Sequence, residues 1–209
     1  MKYNSIFIGI FGSLIAGLLL GCQNNSEPKT LPRLGNHIIE GSDTLYHTIP
    51  DFEFINQDSN MVTNNTFKDR LYVADFFFTS CPTICPKVKK QMLRIYNKYE
   101  EDGRVLLLSH SIDTKYDTVP RLKRYADNLG VTGDKWHFVT GSKEAIFGIT
   151  EPYMSIALED PTLPGGFDHS GWLILVDQNR HIRSFCNGTE EDAVSKFMEE
   201  IDMLLQEYN

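Results

Sequence analysis

The chain has 209 residues, 41% of them hydrophobic and 23% charged, the proportions of one globular domain around a single core. Its net charge of −8, from 20 basic and 28 acidic side chains, argues against a nucleic-acid partner, whose phosphates such a surface repels. An acidic surface can attract a cation or a basic protein patch, but mild acidity is common and carries little functional weight.

In chain order, Lys2 precedes an uncharged run from Ile6 to Gly21 that is too short, and too closely followed by polar residues, for a comfortable membrane span. Residues 1–21 therefore read as an export leader. The run ends Leu19-Leu20-Gly21-Cys22, which resembles a bacterial lipobox, where the cysteine becomes the lipidated first residue of the mature protein. An uncleaved anchor is the alternative. Both place the body outside the cytoplasm and attached to a membrane of the cell envelope, in a compartment that tolerates disulfides. Residues 22–47, polar and punctuated by Pro28, Pro32, Gly35 and Gly41, read as a flexible tether, leaving 48–209 as the folded domain.

Phe52 to Asn56 and Met61 to Thr63 form a candidate N-terminal hairpin, and Leu71 to Phe78 (LYVADFFF) has the β-branched and aromatic run of a central buried strand. Lys87 to Tyr99 spaces Val88, Met92, Ile95, Tyr96 and Tyr99 as one apolar helix face and leaves the lysines opposite. A second strand is expected over Arg104–Ile112, a second helix over Val119–Leu129, a short strand over Trp136–Val139 and a helical turn or two over Lys143–Ile149. After a loop from Glu159 to Asp168, Trp172–Val176 and His181–Phe185 flank a turn, and a last helix runs from about Glu190 to Gln206. This α/β order, parallel strands crossed by helices and an antiparallel hairpin last, is that of a thioredoxin-like fold with a central mixed sheet.

Thr79-Ser80-Cys81-Pro82-Thr83-Ile84-Cys85-Pro86 lies between the strongest strand and the strongest amphipathic helix. Each cysteine precedes a proline, which disfavours helical geometry, so Cys85 is expected at or near the N-cap with Pro86 as the first helical residue. The positive end of the helix dipole favours the thiolate there, the form that attacks disulfides and binds soft metals. Three residues separate the cysteines, against two in the familiar C-x-x-C redox pair. The wider loop can close a Cys81–Cys85 disulfide, or offer two thiolates to copper, which then needs a third ligand. His169 is the best candidate, in Asp168-His169-Ser170 at the end of a Gly- and Pro-rich loop; His37, His47, His110, His137 and His181 read as structural or solvent-facing.

The T-x-C-P-x-x-C-P signature and the downstream D-H-S before an apolar strand resemble the Sco/SenC family of copper-binding assembly proteins, over about Ile49 to Leu205. Ser111-Ile112-Asp113 with Asp117, and Trp136-His137-Phe138-Val139-Thr140-Gly141, are similar to further family motifs, although the usual proline after Asp113 is Thr114 here. The resemblance implies copper, as Cu(I) or Cu(II), on Cys81, Cys85 and His169. It also implies a client in subunit II of a respiratory cytochrome c oxidase or another copper protein, and no classical enzymatic role. Asp113 and Asp117 either stabilise the site loop or a partner contact, or cap a helix. Cys186 reads as a half-buried packing residue, with a resolving thiol as the alternative.

Two other functions share the loop. A thiol peroxidase needs Pro-x-x-x-Thr-x-x-Cys, but the residues three before the cysteines are Phe78 and Pro82. An envelope thiol:disulfide oxidoreductase, fed by a thiol reductant, keeps the activated thiols but lacks C-x-x-C spacing, and its reading stays open beside the metallochaperone.

Overall fold

The computed structural model describes residues 30–208, so the leader and Cys22 lie outside the described residues. Among these, no helix is long and apolar enough to cross a membrane. Two short strands, β1 (Ile38–Glu40) and β2 (Asp43–Leu45), form an exposed ribbon. Then come β3 (Glu53–Asn56), β4 (Met61–Thr63), β5 (Leu71–Phe77), α1 (Cys85–Tyr99), β6 (Val105–Ser111), α2 (Val119–Leu129), β7 (Trp136–Thr140) and α3 (Lys143–Gly148). A second ribbon, β8 (Ala157–Glu159) and β9 (Phe167–His169), precedes β10 (Trp172–Val176), β11 (Ile182–Asn187) and α4 (Glu191–Glu207).

Seven strands make one mixed sheet in the order β11-β10-β5-β6-β7-β3-β4. Its centre is parallel, with β5 on β6 and β6 on β7, while β3–β4 and β10–β11 are antiparallel hairpins at its edges. Every residue of β5, β6 and β7 is buried, as expected of strands covered on both faces. The thioredoxin-like α/β architecture and the hairpin over residues 53–63 agree with the sequence reading.

Four readings change. Part of the segment read as a tether lies against the domain: Leu31 is buried, and Leu34 bridges Ile182 of β11. The apolar face of α1 is as expected, but Lys89 is buried rather than facing water, because Asp75 of β5 awaits it. The run Glu159–Asp168, read as a loop, begins and ends in the paired strands β8 and β9. Finally, β11 carries an extra residue at Arg183, since Leu175 faces Ser184 but Val176 faces Ile182. That bulge interrupts the strand read over His181–Phe185 and places Ile182 on the same face as Phe185, which an unbroken two-residue alternation would separate.

Candidate metal centre

The central β5 delivers the chain at Phe77 to the C-terminal end of the parallel strands, where Phe78 anchors the cysteine loop: its carbonyl accepts from the Cys81 amide at 3.2 Å. The loop then turns into α1. Helical geometry begins at Cys85 itself, with Ile84 as the cap (φ −85°, ψ −32°) and Pro86 in the second position. The sequence reading, one residue later, is corrected here: in the first turn no amide needs an intrahelical carbonyl, so a proline there costs the helix nothing and its predecessor can join it. Cys85 thus sits at the positive end of the dipole of α1.

His169 reaches the same place from a distant part of the chain. It ends β9, opposite Ala157 on β8, and the ribbon folds back over the cysteine loop. Two glycines permit this approach. Gly165 has φ +91°, and a Cβ there would stand 2.7 Å from the Phe78 ring. Gly171 has φ +64°, and its Cβ would meet Ile84 Cδ1 at 3.0 Å. The Phe78 ring meets His169 edge-on, with centroids 5.3 Å apart.

His169 Nε2 lies 3.2 Å from Cys85 Sγ and 3.7 Å from Cys81 Sγ, and all three donor atoms fall within 4.8 Å of one another. No other group of three or more potential metal ligands occurs among the described residues. Both cysteines are free thiols and all three side chains are nearly sealed from water. A cavity of about 330 Å³, lined by Phe78, Cys81, Cys85, Lys89, Tyr125 and Leu129, opens beside the sulfurs. The hydrogen bond from Cys85 holds Cys81 down to about 3, against burial and with help from His169. The same bond, together with burial, pushes the Cys85 thiol up. Two sulfurs and one imidazole nitrogen converging in a dry pocket suit a soft, thiophilic ion such as copper.

The two aspartates behave differently. Asp117 is fully buried and accepts from the Thr79 amide at 2.8 Å, the Thr79 hydroxyl at 2.5 Å and the Ser111 hydroxyl at 2.6 Å. Arg121 lies 3.3 Å away and also donates to Thr79 Oγ1. Asp117 therefore ties the start of the cysteine loop to the end of β6 and to α2. Asp113 instead closes its own turn, its carboxylate accepting from the Tyr116 amide and its carbonyl from the Asp117 amide, while burial raises its pKa. The remaining histidines lie elsewhere: His47 and His181 bond to backbone carbonyls, and His110 and His137 are buried within the sheet. Cys186, on β11, is outside the donor cluster, and burial pushes its thiol up to about 12.

Sequence reasoning passed over Lys89, Asp75 and Phe78. A signal for the first pair existed: a lone carboxylate inside an apolar central strand requires a buried partner.

A thioredoxin-like sheet carrying two cysteines and a histidine where loop, helix and ribbon meet defines a class of soft-metal site. Within that class the match is specific. Residues 41–206 fit the SCO1/SenC family model, and the chain belongs to that family. It is 35% identical over 161 residues to the SCO1 protein homolog of Bacillus subtilis, covering 76% of this chain and 83% of that one. BsSco, described as a member of the Sco family of cytochrome c oxidase assembly proteins with a disulfide switch, is 26% identical, with TM-score 0.66 over 76% of this chain and 93% of its own. The fold is also that of Arabidopsis thaliana ScoI, solved with copper bound (22% identity, TM-score 0.64, 76% and 98% covered).

Proposed function

We propose that the protein is an extracytoplasmic copper metallochaperone whose cargo is held by Cys81, Cys85 and His169. The convergence of these three donors from three separate elements carries the reading. Copper is the metal that this donor set and this family support: thiolates select Cu(I), and the imidazole also accommodates Cu(II). The cavity beside the sulfurs gives an incoming ligand access to the ion, so cargo can leave by stepwise replacement of one donor at a time. The cluster is small enough for Cys81 and Cys85 to form a disulfide after modest movement, which removes both thiolates and makes redox state the switch for loading. Membership of the family, and a relative described among cytochrome c oxidase assembly proteins, support our reading of the client as the copper centre in subunit II of a respiratory cytochrome c oxidase, or a similar copper protein. The leader and Cys22 support attachment to the envelope membrane by a lipid.

Anaerobic titration of the reduced, leader-free protein with Cu(I), repeated on Cys81→Ser, Cys85→Ser and His169→Ala, tests this. One tightly bound ion is expected, lost in each variant. Wild type that binds no better than the variants yet reduces a protein disulfide means an envelope thiol:disulfide oxidoreductase instead. The same activated thiols favour that second reading.

A further inference from the structure

Behind the sulfurs lies an ion pair that the site described so far does not use. Lys89 Nζ stands 2.6 Å from Asp75 Oδ2, and the pair is almost wholly shut off from water. The ammonium also donates to Ser109 Oγ at 2.9 Å and lies 4.2 Å from the centre of the Phe77 ring. Ser109 in turn donates to the other Asp75 oxygen and accepts from Trp136 Nε1 at 2.9 Å.

Such a pair is a poor device for stability alone, since well-packed apolar residues of similar volume are often as good or better. Its placement is what needs explaining. Asp75 is on β5, the strand that feeds the cysteine loop, and Lys89 stands one helical turn beyond Cys85 on α1. Lys89 lines the same cavity as Cys81 and Cys85, whereas Asp75 is sealed behind it. Of the two charged partners, Lys89 is the one that borders the cavity shared with the sulfurs.

We propose that Lys89, fixed by Asp75 and Ser109, is a positioning residue that biases the site toward its most negative states. Two thiolates and a neutral imidazole carry one net negative charge around Cu(I) and none around Cu(II). The dithiol, whose sulfurs can ionise, is likewise the more negative state beside the Cys81–Cys85 disulfide, whose sulfurs cannot. A fixed cation in a dry pocket therefore favours the Cu(I)-loaded site over the Cu(II)-loaded one, and the dithiol over the disulfide. The metal half of this inference rests on the copper reading; the thiol half stands without it.

The double variant Asp75→Leu/Lys89→Met replaces the pair by apolar side chains, and Asp75→Asn/Lys89→Gln replaces it by a neutral polar pair should the first fail to fold. Each is equilibrated without metal in glutathione redox buffers. There the Cys81 and Cys85 sulfurs give up two electrons and form their S–S bond. The S–S bond of glutathione disulfide breaks, and its sulfurs take up those electrons and two protons. The variant equilibrium should move toward the protein disulfide by roughly tenfold. The ratio of Cu(I) to Cu(II) affinity, each measured by chelator competition, should fall by roughly tenfold. A folded variant whose thiol equilibrium stays within about twofold of wild type, and whose Cu(I) and Cu(II) affinities change equally, overturns the proposal and leaves the pair structural. Wild type that binds no copper, with a thiol equilibrium that still shifts in the variant, sinks the metallochaperone reading while upholding this one.

Discussion

The two ends of the β5–β10–β11 part of the sheet are built on opposite plans. The antiparallel register sets them apart: Ile174 faces Ala74 toward the cysteine end, while Val176 faces both Tyr72 and Ile182 at the other. At the far end the bulge turns Arg183 inward, where each nitrogen is engaged: Nε with the Pro32 carbonyl, Nη1 with Asp177 and Tyr208, and Nη2 with the Leu31 carbonyl and Glu207. Glu207 also accepts from the Leu31 amide, and the Leu34 amide donates to the Ile182 carbonyl. Residues 31–34 are thereby clamped to the domain at the pole away from Cys81, Cys85 and His169. At the cysteine end the three donors contact chiefly one another, and the saturated network, Thr79–Asp117–Arg121, stands one step back. A buried polar group that must not move is fully bonded; one that must exchange a ligand is left with weak partners and a rigid support.

The sharpest way to break this contrast is at the clamp. Arg183→Ala leaves buried Asp177 and half-buried Glu207 without their cation and should cost about 3 kcal/mol, read as a lower Tm or urea midpoint. Copper stoichiometry at low temperature should not change. If the folded variant loses copper, the two ends are not independent.

Between the ends, two histidines make the sheet itself sensitive to acid. His110 lies among Phe54, Phe76 and Tyr153, and burial brings its pKa down to about 3; His137 is lowered to about 4, again by burial. Neither Nε2 has a hydrogen-bond partner. The unfolded chain takes up these protons near pH 6.5, but the folded one only near 3 to 4. The stability they allow is therefore complete above about 6.5 and is lost as pH falls, by about 2 kcal/mol per histidine at pH 5. Urea midpoints at pH 7.5 and 5.0 measure it, and His110→Phe should remove roughly half of the pH-dependent loss. An equal loss in the variant assigns the effect to other groups.

The difference between the ends also marks how far the sequence could be read. Local signals were strong where one segment decides its own structure: LYVADFFF as a buried strand, the amphipathic spacing after Pro86, and the thiols at a helix start. The copper reading of His169 came from family likeness and loop position, because its approach to Cys85 depends on a ribbon whose strands are only three residues long and hold exposed Leu158. The clamp was invisible because Leu31 and Arg183 are 152 residues apart and their pairing is backbone to side chain. Lys89 was misplaced for a different reason: helical periodicity weighs hydrophobicity, and a buried lysine looks like a surface one until Asp75 is seen to need it.

Smaller effects test the support behind the site. Asp117→Asn keeps the shape of the side chain but removes the charge that holds Thr79 and Arg121, so Cu(I) affinity should fall by about tenfold with the fold intact. Asp113→Asn, which alters only its own turn, should change it by less than about threefold. Equal losses would mean that the two aspartates act as one unit.

The smallest expected effect belongs to Cys186→Ser. Burial, with Glu200 and Glu190 adding to it, keeps this thiol protonated at neutral pH, and the side chain is placed across from Leu173 in the β10–β11 pair. A protonated thiol is a poor nucleophile and a poor ligand. The substitution should leave copper stoichiometry and the glutathione equilibrium of Cys81 and Cys85 unchanged and lower stability by about 1 kcal/mol, the cost of a hydroxyl in a half-apolar setting. Alkylation of the reduced native protein gives the decisive contrast. Cys81, whose thiol is held low by the hydrogen bond from Cys85, should react fast, and Cys186 only after unfolding. If Cys186 reacts as fast as Cys81, or its loss slows the reduction of the Cys81–Cys85 disulfide, it is a resolving thiol rather than packing.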